Sequence, residues 1–240
     1  MTRDEGRPFP AGLSALRPSS DEKMTKDQLI TVRDPRSAAA EAFRTLRTNL
    51  IFASLEKPLP TLLVTSAAAD EGKSVALANL AVVMAQGGRQ TILVDCDLRR
   101  PRQHEIFGLP AAPGFSDWML GAEGAPAPLA ATGLDGLRLL PAGVPAEAPA
   151  DLLTSRRLRV LVDGLKAQAD IVLFDAPPIL AVSDAALLAA NLDGVLLVVN
   201  AGHTRRDHAQ RARELLEKVR VRVVGAVLTN AGSEGGLGPY

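Results

Sequence analysis

The stretch Leu62-Leu63-Val64-Thr65-Ser66-Ala67-Ala68-Ala69-Asp70-Glu71-Gly72-Lys73-Ser74 decides how the chain is read. It opens on an apolar run of strand type and passes through a loop of small residues. From Lys73 to about Gln86 the pattern is helical, until Gly87-Gly88 stops it. Strand, loop and helix in that order match the phosphate-binding pattern G-x-x-x-x-G-K-[ST], except that Ala67 stands where the first glycine is expected. The physical basis is anion binding by backbone N–H groups at a helix N-terminus. Ala69, Asp70, Glu71, Gly72, Lys73, Ser74 and Val75 are therefore the expected nucleotide-binding residues. Gly72 permits close backbone approach, Lys73 neutralises β and γ oxygens, and Ser74 offers a hydroxyl to Mg²⁺. Ala67 is tolerable if its position needs no positive φ. Asp70 and Glu71 would put negative charge beside the phosphates, so both are expected to point outward. For G-K-S alone, the alternative is an ordinary turn with an exposed lysine.

Two further strand ends carry acids. Ile92-Leu93-Val94-Asp95-Cys96-Asp97-Leu98-Arg99-Arg100-Pro101 places two carboxylates two residues apart, on one face if the backbone stays extended. They repel each other unless a cation lies between them, so a Mg²⁺ site is one reading. The other is a solvated turn in which the acids pair with Arg99 or Arg100. Ile171-Val172-Leu173-Phe174-Asp175-Ala176-Pro177-Pro178 ends an apolar strand in a single acid, the arrangement that reaches the Mg²⁺ of a phosphate-loop site.

Beyond these motifs, short apolar runs at Leu137 to Leu140, Val195 to Val199 and Val221 to Leu228 add strands. Helical patterns intervene. Ser37 is expected to cap a helix to about Leu55, with Phe43, Leu46 and Leu50 as its buried stripe. Thr154 should open one reaching about Ala169, and Thr204 with Asp207 one to about Val219. Ser183 to Ala190 and Phe115 to Leu120 read as shorter helices, and Gly121 to Pro128 as a surface loop or lid. Strands alternating with helices predict an α/β fold, a mostly parallel, doubly wound sheet with helices on both faces and ligands beyond the strands' carboxyl ends. Residues 1–35 read as a flexible N-terminal arm, 36–230 as the domain, and 231–240 as a flexible Gly-rich tail.

Composition removes other classes. The 27 Lys and Arg balance 27 Asp and Glu, which leaves no electrostatic footprint for nucleic acid. A single cysteine excludes a disulfide framework and suits a reducing compartment. No apolar run reaches the roughly 18 residues of a spanning helix, and the first twenty residues hold no signal-peptide core, so a cytoplasmic protein is expected.

Taken in this order, the motifs resemble the bacterial tyrosine kinases of capsule and exopolysaccharide synthesis, a group of P-loop NTPases. The resemblance runs from about Asp34 to Asn230. Asp95 to Pro101 resembles the family's Walker A′ motif, and Asp175 to Pro178 its Walker B, with the match continuing to Asp184. Glu41 to Leu50 contains the family's E-x-x-R-x-x-R element, and Phe107 to Leu109 and Gly114 to Asp117 also read like family text. The resemblance implies an ATP- and Mg²⁺-dependent protein-tyrosine kinase, an autokinase, with Lys73, Asp95, Asp97 and Asp175 as catalytic residues. It implies Ser74, Asp95, Asp97 and Asp175 around the metal and Asn230 against adenine.

The same resemblance implies a ring of subunits touching through Glu41, Arg44 and Arg47. Spaced by three, these cover a sector of about 120° beside the apolar stripe. The bland alternative is an intrahelical Glu41–Arg44 pair. The family's separate, unfused form is implied too, recruited to the inner face of the membrane by the cytoplasmic tail of a membrane polysaccharide co-polymerase that activates it. The chain's single tyrosine, Tyr240, is then the one available autophosphorylation acceptor, beside protein tyrosine substrates. The rivals are a partitioning or positioning switch ATPase of the ParA/MinD type and a non-catalytic ATP-binding scaffold. Ala68 stands where the switch proteins carry an extra lysine, and the full set of Lys73, Ser74 and three aspartates argues against the scaffold.

Overall fold

Alternate side chains of the central strands enter two different cores, which is why these strands are buried along their whole length. Leu63, Val172, Phe174, Ile92 and Val94 face one apolar cluster; Leu62, Val64, Ile171, Leu173 and Leu93 face the other. The computed structural model describes residues 25–231. After a 3₁₀ turn at Lys26–Gln28 come α1 (Ile30–Arg33), α2 (Ala38–Glu56), β1 (Thr61–Ser66), α3 (Lys73–Gln86), β2 (Thr91–Asp95), α4 (Gln103–Phe107) and α5 (Phe115–Leu120). β3 (Ala130–Ala131), β4 (Leu137–Leu140), α6 (Pro149–Thr154), α7 (Arg156–Lys166) and β5 (Ile171–Asp175) follow. The described chain ends with α8 (Asp184–Ala189), β6 (Gly194–Asn200), α9 (Arg206–Lys218) and β7 (Val223–Thr229).

The sheet runs β3-β4-β2-β5-β1-β6-β7, parallel except for the β3–β4 pair. α2, α3 and α4 cover one face; α5 to α9 cover the other. The expected α/β sheet with helices on both faces is therefore present. Register places the ends that matter side by side: Asp95 pairs with Asp175 across β2–β5, and Val64 pairs with Asp175 across β1–β5. Among the described residues no helix is long and apolar enough to cross a membrane.

Three expectations change. The inner end of the arm placed over residues 1–35 is folded: Leu29 is wholly buried, and both the N–H and the hydroxyl of Thr31 donate to Asn79 Oδ1 on α3, at 3.1 and 2.9 Å. One buried leucine and one amide contact anchor a stretch whose polar composition hid it. The helix expected from Thr154 to about Ala169 is α7, capped not by Thr154 but by Ser155, which is extended and whose hydroxyl accepts the Arg157 N–H; Thr154 instead ends α6, a short helix the pattern did not show. α9 begins at Arg206 without a side-chain cap, since the Thr204 hydroxyl is turned toward the loop after β1. The Gly121 to Pro128 loop is pinned at its base, where Arg157 donates to the carbonyls of Trp118 and Gly121 and Trp118 Nε1 donates to Ala125 O. Residues 1–24, and the tail 232–240 with Tyr240, lie outside the described residues.

Candidate functional site

β1 ends at Ser66, and the chain turns through Ala67 to Gly72 before α3 begins at Lys73. Gly72 has φ +79°, the left-handed conformation that glycine adopts without penalty, and Thr229 of β7 packs 3.8 Å from where its Cβ would be. Asp70, at φ +61°, takes a second left-handed position, which short polar side chains tolerate. Ala67 is not among the positive-φ residues and is wholly buried, so alanine meets that position's demands.

The loop bounds a cavity of about 330 Å³ lined by Ala69 through Val75 together with Ser66. Asp97, Arg100, Arg102, Ile106 and Pro178 line its other side. Seven of the eight residues expected to hold nucleotide, all those of the phosphate loop, thus face one space. Arg102, which no motif in the sequence singles out, faces it as well, as does Arg100, which the sequence offered only as an ion-pair partner for the acids. Asn230 is exposed and does not line the cavity; the hydroxyl of its neighbour Thr229 donates to Glu71 O at 2.9 Å.

Glu71 does not point outward. It is buried, with Oε2 accepting the Ala67 N–H at 2.9 Å and Oε1 accepting the Thr204 hydroxyl at 2.6 Å. Two donors supplied from inside the fold satisfy a carboxylate that local charge reasoning sent to solvent. Asp70 is exposed, as expected.

Lys73 is buried at the foot of the cavity. Its Nζ is hydrogen-bonded to Asp175 Oδ1, lies 3.2 Å from Ser74 Oγ and 3.5 Å from Asp97 Oδ2. Burial disfavours its ammonium, but Asp175 and Asp97 outweigh that and hold its pKa above the ordinary lysine value. Asp97 is raised above the usual carboxylate range by burial, with Lys73 opposing, and its Oδ1 accepts the Arg100 N–H at 3.1 Å.

Asp95 differs from the other two acids. It does not line the cavity, and both its oxygens serve the backbone: Oδ1 accepts from Asp97 N at 3.2 Å, Oδ2 from Arg102 N at 3.1 Å and Gln103 N at 2.9 Å. Complete burial, with Asp175 alongside, pushes its pKa up to about 8. It shapes the β2–α4 loop rather than facing the ligand space. Arg99 does not pair with Asp95 or Asp97. Its guanidinium grips the buried Asp184 through both carboxylate oxygens, at 2.8 and 3.1 Å, tying the two acidic loops together. Burial also pushes up the Cys96 thiol, a core residue just past the end of β2.

Among the described residues no three His, Cys, Asp or Glu side chains are arranged to hold a metal by themselves. Mg²⁺ is commonly bound by one or two carboxylates plus a hydroxyl and substrate phosphates, and that is the donor set present. Ser74 Oγ, Asp97 and Asp175 place hard oxygens around the Lys73 ammonium, and the carboxylates outnumber the cation. These residues fit a magnesium ion bound together with a nucleotide.

Of the three residues expected at a subunit contact, the structure brings two together. Arg44 Nη1 pairs with Glu41 at 2.7 Å on the exposed side of α2, and Arg44 Nη2 also donates to Pro35 O. Arg47 turns inward and donates to Val83 O at 2.8 Å, over the glycine that ends α3.

No family model matches the chain. It is 37% identical to the tyrosine-protein kinase YwqD of Bacillus subtilis over 214 residues, 89% of this chain and 90% of that protein. Among solved structures, the kinase domain of the Escherichia coli tyrosine kinase ETK superposes with a TM-score of 0.81 at 28% identity, covering 99% of this chain and 87% of that one. The chimerical protein CapA2B2 superposes with a TM-score of 0.79 at 35% identity, covering 83% and 88%.

Proposed function

The chain belongs to the bacterial tyrosine-protein kinases, and on that premise we propose that it phosphorylates protein tyrosines with ATP in the control of capsule or exopolysaccharide synthesis. The observation that carries this is the cavity in which the phosphate loop, Lys73, Ser74 and Asp97 meet, with Asp175 bonded to Lys73 at its foot. Phosphoryl transfer asks the protein mainly for positioning and charge stabilisation, which such a cavity supplies.

In this reading, backbone N–H groups from Ala69 to Val75 cradle the β and γ phosphates, and the Lys73 ammonium leaves Asp175 for the phosphate oxygens. Magnesium, held by Ser74 with Asp97 and Asp175, would neutralise charge on the transferring group. Asp97 lines the cavity wall, so the oxygen it does not give to the metal would bring an incoming tyrosine hydroxyl into line. Asp95 supports this loop from behind, and Asn230, exposed just past β7, would meet the adenine outside the phosphate cavity. Tyr240 of one subunit serves as acceptor in another. The partner is the cytoplasmic tail of a membrane polysaccharide co-polymerase, which recruits the chain to the inner face of the membrane. The likeness of this chain to the chimerical protein CapA2B2 supports such a pairing.

The test is incubation of the full chain with Mg-ATP and a candidate activator tail, followed by phosphosite mass spectrometry. Phosphotyrosine is expected, confined on this chain to Tyr240 and absent from Tyr240→Phe. Phosphate release without phosphotyrosine on any protein would overturn the kinase reading in favour of a switch ATPase.

A further inference from the structure

Gln103 is the first residue of α4 and is wholly buried, yet its side-chain amide makes two long-range hydrogen bonds. Its Nε2 donates to Asp175 Oδ2 at 2.7 Å and to the Ser74 carbonyl at 3.0 Å, while its backbone N–H donates to Asp95 Oδ2 at 2.9 Å. One residue thereby joins the ends of β2 and β5 to the first turn of α3. Its Oε1 is buried with no hydrogen-bond partner among the described residues.

That orphan atom fixes the orientation of the amide. Turned over, Oε1 would face a carboxylate and a carbonyl, two acceptors, so the nitrogen must point at Asp175. It also argues against simple space filling. A methionine would fill the same volume without stranding an acceptor, so the amide's use is its pair of N–H donors.

We propose that Gln103 is a positioning residue that sets the rotation of the Asp175 carboxylate, and with it the magnesium affinity of the phosphoryl-transfer site; this rests on the reading above. Strand pairing fixes the Asp175 backbone, but the carboxylate torsion is a broad, soft rotor. With Oδ2 held by Gln103, only Oδ1 turns toward Lys73. The same Nε2 holds the α3 turn that carries the Ser74 hydroxyl, so both donors keep their spacing. Without the amide, the carboxylate is free to swing both oxygens onto Lys73 and close the donor set.

The experiment uses the full chain with Gln103→Met, which keeps volume and removes the donor, and Gln103→His, whose Nε2–H reaches nearly as far as the native amide. Mg²⁺ is titrated calorimetrically into protein saturated with ADP, ADP binding is measured without Mg²⁺, and melting is followed without ligands. For Gln103→Met we expect Mg²⁺ affinity weakened about 10–100-fold, the usual cost of losing a group that orients a metal ligand. Metal-free ADP affinity should stay native, and Gln103→His should recover most of the loss. Native Mg²⁺ affinity in Gln103→Met would overturn the proposal. So would equal losses in both variants with parallel falls in melting temperature, which mark a packing role, or ADP binding by the native chain that is indifferent to Mg²⁺. None of these readouts requires tyrosine phosphorylation. A chain that binds Mg-ADP through Gln103 but makes no phosphotyrosine would sink the kinase reading alone.

Discussion

The two ends of α3 each hold a basic side chain, and they use it in opposite ways. At the N-terminus Lys73 is buried against Asp175 and Asp97, its charge set against the positive end of the helix dipole. At the C-terminus Arg47, reaching over from α2, donates to the carbonyl of Val83, where the dipole favours a cation. Gly87 ends the helix there, and a Cβ on it would lie 2.7 Å from Arg47 Nη1. A cation placed against the dipole needs carboxylates to hold it until an anionic ligand arrives. A cation placed with the dipole needs no ligand. The first is built for phosphate; the second closes a helix.

The strongest way to break this contrast is Lys73→Met. Rate should fall on the order of 10²–10³-fold, the range seen when one group stabilising transition-state charge is removed. The variant should also lose stability without nucleotide, because Asp175 and Asp97 stay buried without their cation. We expect about 3 kcal/mol, the lower end for breaking a buried pair, since Gln103 still donates to Asp175. At this chain length that is about 6–12 °C in Tm. Adding Mg²⁺ alone should restore part of it. Undiminished phosphotransfer, or a Tm loss that Mg²⁺ leaves untouched, would remove Lys73 from the site.

Arg47→Ala addresses the other end, and the expected effect is on the fold. It loses one charge-assisted hydrogen bond and its cover over Gly87, about 1 kcal/mol or 2–4 °C in Tm at this size. Activity per folded subunit, measured well below the midpoint, should be native. A stability change within error would return Arg47 to the subunit contact implied by the sequence.

How much was legible in the sequence follows the same division. Lys73, Ser74, Asp97 and Asp175 could be read because strand-end and helix-start positions are fixed by local pattern, and a parallel sheet brings all carboxyl ends of its strands to one edge. Glu71 and Gln103 could not. The partners of Glu71 include Thr204, more than a hundred residues away in sequence, and Gln103 acts where β2, β5 and α3 converge. No local spacing encodes either contact. Asp95 was legible as an acid at a strand end but not as one whose oxygens are spent on backbone N–H groups, since that depends on the turn into α4. The bond from Arg47 to Val83 O was hidden for a related reason. Helical spacing by three groups Arg47 with Glu41 and Arg44, but a long side chain at the edge of that sector can reach inward across the helix pair.

Arg44 therefore offers the smallest and most discriminating change. It sits on the exposed side of α2, paired with Glu41 three residues earlier, and such pairs contribute about 0.2–0.5 kcal/mol. Its second contact, to the Pro35 carbonyl, orders the approach to the helix but lies at the surface. Arg44→Ala should thus move Tm by a degree or so, less than Arg47→Ala. If α2 presents this pair to a neighbouring subunit, the mass measured by light scattering should fall while the monomer's melting behaviour barely changes. Such a split, oligomer lost and fold kept, cannot come from an intrahelical pair, whose removal touches only the helix that carries it. Made together with Arg47→Ala, the two effects would be confounded, because the second substitution loosens the end of α3 on its own account. Tested singly, an unchanged mass for Arg44→Ala leaves the pair a surface contact and moves the search for a subunit interface to another face of the molecule.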